Sequence, residues 1–265
     1  MNNIAHISWV RRYPLLLPII FVIGSIFLFK LVDLYPYRSE FTENMAHSSA
    51  QILLCICLIW LLIRFDIFAQ TGLTRPVGQW PRKWPFAVIP MAMIGLINLI
   101  STDWSDLSFD GIRLGGWIFN SVSTGLFEEI LLRGFCFYFL LQCWQGRKNA
   151  LLWAALAQAL IFGLAHLSNL QDNLAGDVIP QVIYATLLGI GFAGIAAYTQ
   201  SVWPTIAIHS FINAMGDLDT FFAPEQVETV GSATNYLGAI MVIFLVSTLP
   251  GLYLLHLRQR HLTEG

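Results

Sequence analysis

This chain predicts an all-helical, polytopic membrane bundle with about eight transmembrane helices, and three observations carry that expectation. Of its 265 residues, 56% are hydrophobic and only 11% charged, with a mean hydropathy of +0.65. That leaves too little polar surface to cover a soluble globule. The apolar residues gather into runs long enough to cross a hydrocarbon core of about 30 Å. The basic residues fall between alternate pairs of those runs, the pattern by which charge orients a protein across a bilayer.

The runs read, in order, as 14–35, 48–69, 85–102, 114–144, 149–168, 178–199, 201–216 and 235–257. The first follows Arg11 and Arg12 like a secretory signal, but it is long and has no small-x-small cleavage site, so it reads as a retained helix. The fourth is longer than one crossing needs and is interrupted by Gly115, Gly116 and Gly125, so its start reads as an interfacial piece. Gly189, Gly191 and Gly194 in the sixth run read as positions for close helix packing, with no P-loop or dinucleotide fingerprint beside them. The seventh run is short. No linker, fixed-period repeat or soluble domain interrupts the chain, which divides into three helices over 1–112, a motif-bearing core over 113–216, and a loop, last helix and tail over 217–265.

In an eight-span arrangement Arg11, Arg12, Arg64, Arg75, Arg82, Lys83, Arg147, Lys148, Arg258 and Arg260 share one side, and only Lys30, Arg38 and Arg113 fall opposite. The positive-inside rule then places both termini in the cytoplasm, in what reads as a bacterial inner membrane. The other side carries the acidic loops, with Asp103, Asp106, Asp110, Asp172, Asp177, Asp217, Asp219, Glu225 and Glu228. Cys55, Cys57, Cys136 and Cys143 lack metal-ligand spacing and read as buried reduced thiols.

Ionisable groups deep in the spans are the chemical signal. A charge at bilayer depth costs about 2.5–3.5 kcal/mol on insertion scales, so such a residue is retained for a reason. Glu128, Glu129 and Arg133 lie within six residues in the fourth run, His166 near the end of the fifth, and His209 with Asn213 in the seventh. Glu129 and Arg133, Phe162 and His166, and His209 and Asn213 are each four residues apart, so each pair shares a helix face. In lipid these faces must turn toward one another or toward a water-filled cavity.

The chemistry follows from the pairing. Glu129 is placed to cancel Arg133, while Glu128, about 100° further around the helix, keeps an uncompensated carboxylate. Desolvation brings such a carboxylate toward the range where it takes a proton from water. The resulting nucleophile can attack a peptide carbonyl, and His209 and Asn213 can receive the oxyanion. His166 can hold the attacking water or protonate the leaving amine.

The series Glu128-Glu129-x-x-x-Arg133, Phe162-x-x-x-His166 and His209-x-x-x-Asn213 resembles, in order, the three motifs of the CPBP intramembrane proteases, which include the type II CAAX prenyl endopeptidases. The resemblance spans roughly 113–216 and fills all seven motif positions. It implies that Glu128 and His166 activate the water and that His209 and Asn213 form the oxyanion site. It further implies that Glu129 with Arg133 supports them and that Phe162 packs beside His166. Family members have been described both as metalloproteases and as metal-independent glutamate proteases.

Zinc would take Glu128, His166 and His209 as ligands, but Asn213 stands where a His-x-x-x-His pair would have its second histidine, and asparagine is a poor zinc ligand. The reading favours no metal cofactor, with zinc as the alternative. The expected partners are the bilayer and a membrane-associated or lipid-modified peptide, prenylated or of the bacteriocin-processing kind, and no nucleic acid. The competing class is non-enzymatic: a bacteriocin-immunity or toxin-binding protein, or a proton-coupled transporter whose relay uses the same buried Glu, His and Arg.

Overall fold

The computed structural model describes residues 8–171, 173–223 and 232–264, so Asp172, Glu225 and Glu228 of the acidic loops lie outside it. The described residues are helical with no strand: α1 (Ser8–Arg12), α2 (Leu16–Asp33), α3 (Glu40–Arg64), α4 (Trp84–Ser101), α5 (Gly111–Glu129), a π-helical stretch Ile130–Phe137, α6 (Tyr138–Cys143), α7 (Ala150–Ala165), α8 (Ala175–Thr199), α9 (Trp203–Gly216), α10 (Leu218–Phe222), α11 (Ala233–Ile243), a second π-helical stretch Phe244–Thr248, and α12 (Leu249–Glu264). An all-α polytopic bundle is therefore what forms.

Local chemistry sets the helix starts. The Ser39 hydroxyl accepts from the Thr42 amide and the Thr42 hydroxyl accepts in return from the Ser39 amide, a capping box that begins α3. Asp110 caps α5, its carboxylate accepting from the Ile112 and Arg113 amides at 2.9 and 2.8 Å. Proline in the first turn of α4 and α9 costs nothing, because those amides have no intrahelical partner.

Six helices are long and apolar enough to cross a membrane: Leu16–Asp33, Glu40–Arg64, Trp84–Ser101, Ala150–Gln171, Ala175–Thr199 and Ala233–Leu262. The expected number of eight is thus not reached by length and composition. The two segments that fall short are those carrying the first and third motifs. α5 holds Arg113, Asn120, Ser121, Ser123, Thr124, Glu128 and Glu129, and α9 has 14 residues, about 21 Å at 1.5 Å per residue. The start of the fourth run is also no separate piece, because α5, the π-helix and α6 continue without a break.

The outward faces are greasy at helical spacing. Leu53, Ile56, Trp60 and Ile63 on α3, and Phe86, Ile89, Met93, Ile97 and Ile100 on α4, are exposed large apolar side chains. Such stripes are stable only against lipid or another apolar partner. Cys57 joins the outward face while Cys55, two residues and about 200° away, is buried with Cys136 and Cys143. The expectation of four buried thiols therefore holds for three.

The centre of the bundle is the helix running from α5 through the π turn. Ile130–Phe137 is buried throughout, and Phe135, Cys136 and Phe137 have no exposed surface. α3, α7, α8 and α9 surround it. At one end of the bundle the 71–75 segment is tied to the α8–α9 connection. There the Val202 amide donates to Thr71 O at 3.0 Å, the Trp203 indole donates to Leu73 O at 2.8 Å, and Arg75 reaches Gln200. Gly72, at φ +66°, makes this junction, since a Cβ there would run into Gln200 and Ser201.

Candidate active site

The first motif straddles the change from α- to π-helix. Glu128 and Glu129 end α5 and Arg133 sits inside the π stretch, an arrangement common at functional sites because the widened turn re-aims side chains. Arg133 and Glu129 have no exposed side-chain surface, and Arg133 Nη1 donates to Glu129 Oε1 at 2.7 Å. The guanidinium lies between two aromatic faces, 4.8 Å from the centroid of Phe162 and 4.7 Å from that of Phe192. Its Nε and Nη2 make no hydrogen bond among the described residues, so the ring faces are their principal neighbours.

His209, on α9, is gripped on both sides. Its Nδ1 lies 2.8 Å from Glu129 Oε1, and because that oxygen can only accept, Nδ1 carries the proton and donates. Its Nε2 lies 3.5 Å from Glu128 Oε2. Phe192 stacks on the imidazole at 5.0 Å and 20°. Arg133, Glu129, His209 and Glu128 therefore form one chain of contacts. Glu128 keeps 23% of its side chain exposed, whereas Glu129 keeps none.

The close approach of α5 and α9 depends on Gly125. A Cβ there would meet the Ser210 hydroxyl and lie 2.9 Å from the Ser210 amide nitrogen. The second motif arrives from the side: His166 ends α7, and its ring packs 5.1 Å from Phe162. Glu128, Phe162 and His166 line one cavity of about 210 Å³, with Val22, Ser25, Ile26 and Phe29 from α2 and Gln51 from α3. Ile26, Phe29, Ser168 and Asn169 also line a neighbouring cavity of about 890 Å³, whose rim carries Lys30, Asp33, Glu43 and His47. Asn213 lies one turn beyond His209, its side chain making no hydrogen bond among the described residues.

Two features of the site went unread in the sequence. Phe192 lay within the glycine cluster of the sixth run, where the glycines mark a close approach but do not say which ring fills it. Gln51 is the one amide of the second run, near its start, and no ionisable residue at mid-depth of that run draws attention to it. Asp217, just past α9, is a further polar neighbour, its amide donating to Asn213 O at 2.8 Å. Burial pushes its carboxyl up to about 6, with His209 nearby pulling the other way.

The arrangement can be tested against zinc. Among the described residues, the trio of His, Cys, Asp or Glu whose ligand atoms all lie within 4.8 Å of one another is Asp33, Glu43 and His47. Glu128, His166 and His209 are not such a trio, and His209 Nδ1 is held by Glu129. A three-ligand zinc site needs all its donors at about 2.0–2.2 Å from one point, so these three do not fit the ion as arranged.

Residues 111–215 match the family model described as Type II CAAX prenyl endopeptidase Rce1-like. No curated protein and no solved structure matches the chain. The matched segment contains all three motifs, and the helices that carry them are those meeting around His209 and the Glu128 cavity. Over this segment, the chain is similar to the type II CAAX prenyl endopeptidases of the CPBP group.

Proposed function

We propose that the protein hydrolyses a peptide bond of a membrane-associated or lipid-modified substrate in the Glu128 cavity, with Glu128 as general base and no metal in the reaction. The observation that carries this reading is the split between two adjacent carboxylates. Glu129 is sealed against Arg133 and His209, while Glu128 opens into a cavity that also holds His166.

Water held between Glu128 and His166 gives a proton to the Glu128 carboxylate as its oxygen bonds to the scissile carbonyl carbon. The carbonyl π pair moves onto oxygen, and the Nε2–H of a doubly protonated His209, with the Asn213 amide, receives that charge. The oxyanion then collapses, the C–N bond breaks, and the nitrogen leaves with a proton delivered by the protonated Glu128 or by His166. Arg133 and Glu129 do not touch the substrate. They hold His209 in the imidazolium form, with Nδ1–H on Glu129 and Nε2–H free for the oxyanion, and they fix its ring plane. Phe162 and Phe192 hold Arg133 and the two imidazoles in place and keep bulk water from them.

A small cavity with apolar walls from α2 and α5 suits an extended peptide beside an acyl or prenyl chain. The one-sided distribution of basic residues supports both termini in the cytoplasm of a bacterial inner membrane, with the rim of the larger cavity on the opposite face.

The test is cleavage of two internally quenched peptides, one farnesylated near its C-terminus and one an unmodified transmembrane segment, by purified wild type and Glu128→Gln, each with and without a strong chelator. Expected is chelator-resistant cleavage of at least one peptide, lowered about 10²–10⁴-fold in kcat by Glu128→Gln. Chelator-sensitive cleavage restored by zinc would overturn the metal-free step. Cleavage of neither peptide would overturn the protease reading in favour of the toxin-binding or transport class.

A further inference from the structure

We infer that Gln51, on α3 and outside the three motifs, is an oxyanion donor of the same site: its side-chain NH2 group receives the charge that develops on the scissile carbonyl oxygen. The inference rests on the hydrolytic reading above.

The orientation of the amide is fixed by α5. Gln51 Oε1 accepts from Ser123 Oγ at 2.9 Å and from Thr124 Oγ1 at 3.2 Å. The Ser123 hydroxyl has an alternative acceptor in Asn120 O, but the Thr124 hydroxyl has none among the described residues, so its hydrogen goes to Oε1. With the oxygen engaged, Nε2 is the polar atom Gln51 presents to the cavity. It makes no hydrogen bond among the described residues, and it is not among the sealed, unpartnered polar atoms of the interior.

The hydroxyls lining that cavity have their donors committed, and its other amide has one hydrogen engaged. Ser25 and Ser168 donate to carbonyls of their own helical segments, and Asn169 gives an Nδ2 hydrogen to Gln181. Gln51 is thus the lining amide with both N–H groups free, in a cavity shared with the base Glu128 and with His166. Thr124 and Glu128 are one helical turn apart on α5, so Gln51, bonded to Thr124, shares with Glu128 one face of α5 and one cavity. A donor preset by two hydroxyls costs no reorganisation when the charge appears, which is the condition for a large electrostatic contribution. It approaches from the α3 flank of α5, whereas His209 approaches from the α9 flank.

The measurement is kcat and KM of Gln51→Met, which keeps the volume and removes the donors, and of the double variant Ser123→Ala/Thr124→Val, which frees the amide to rotate. Both are assayed on whichever quenched peptide wild type cleaves, beside Glu128→Gln. A peptidyl phosphinate, whose tetrahedral P–O⁻ mimics the oxyanion, gives a second readout by competition. Expected for Gln51→Met is a kcat about 10²–10³-fold lower with KM within a few-fold, and phosphinate affinity lowered far more than substrate affinity. The double variant should lose less.

Unchanged kcat in Gln51→Met, with Glu128→Gln inactive, overturns this inference and leaves the Glu128 reading standing. So does a loss confined to KM or to thermal stability, which marks a packing role. No cleavage by wild type overturns both.

Discussion

Asp217 shows how one side chain beside the site couples to pH. Its folded value of about 6 lies above the ordinary aspartate value of 3.8, chiefly because it is buried. Between those values the folded chain holds a proton that the unfolded chain has released, so stability falls as pH rises through the window and stays lower above it. Asp217→Asn is therefore expected to raise the thermal midpoint in detergent at pH 7.5, with the gain shrinking toward pH 4. An equal gain at both pH values would place the effect elsewhere. At this scale Glu128, Glu129, Arg133, His166, His209 and Asn213 were all legible in the sequence, because ionisable and amide groups stand out in apolar runs. The partner of each was less so. Glu129 serves His209 as well as Arg133, and Glu128 faces His209, since their carboxylates meet a helix 80 residues away in sequence.

Among the elements, the α5–π–α6 helix and its contact with α9 decide the site's shape. The i,i+4 spacing puts Glu129 and Arg133 on one helix face, and the two do meet. Nothing in that spacing marks the π turn, which has no residue signature of its own. Gly125 offers the sharpest probe. In Gly125→Ala the added methyl is met by Ser210 side chain and backbone, so α5 and α9 must separate. Overpacking of this kind costs about 1–3 kcal/mol. Because the displaced helix carries Glu128 and its neighbour carries His209, the fall in kcat should exceed what lost folded protein explains. Thermal unfolding and kcat measured on the same detergent-purified sample check this.

For the molecule as a whole, the ends of the bundle differ in charge, and the cavity rim with Lys30, Asp33, Glu43 and His47 lies at the end away from Arg64, Arg75, Arg82 and Arg258. Fusing a reporter active only in the cytoplasm after residue 264, and one active only outside it within the 102–110 connection, should give signal from both. The reverse pattern would turn the cavity mouth to the cytoplasm and reassign the side on which substrate is met.

Composition and run length determined by themselves that this chain is a helical membrane protein, and the spacing of its ionisable groups marked Glu128, His166 and His209 as the polar residues to explain between 113 and 216, because the bilayer forbids such groups without cause. The tertiary structure alone decided which carboxylate is sealed and which faces the cavity, and that α2 and α3 supply its other walls. It also decided that Phe192 and Gln51 stand beside the motif residues. Those facts depend on how helices far apart in sequence rotate and approach, which packing fixes and local spacing does not.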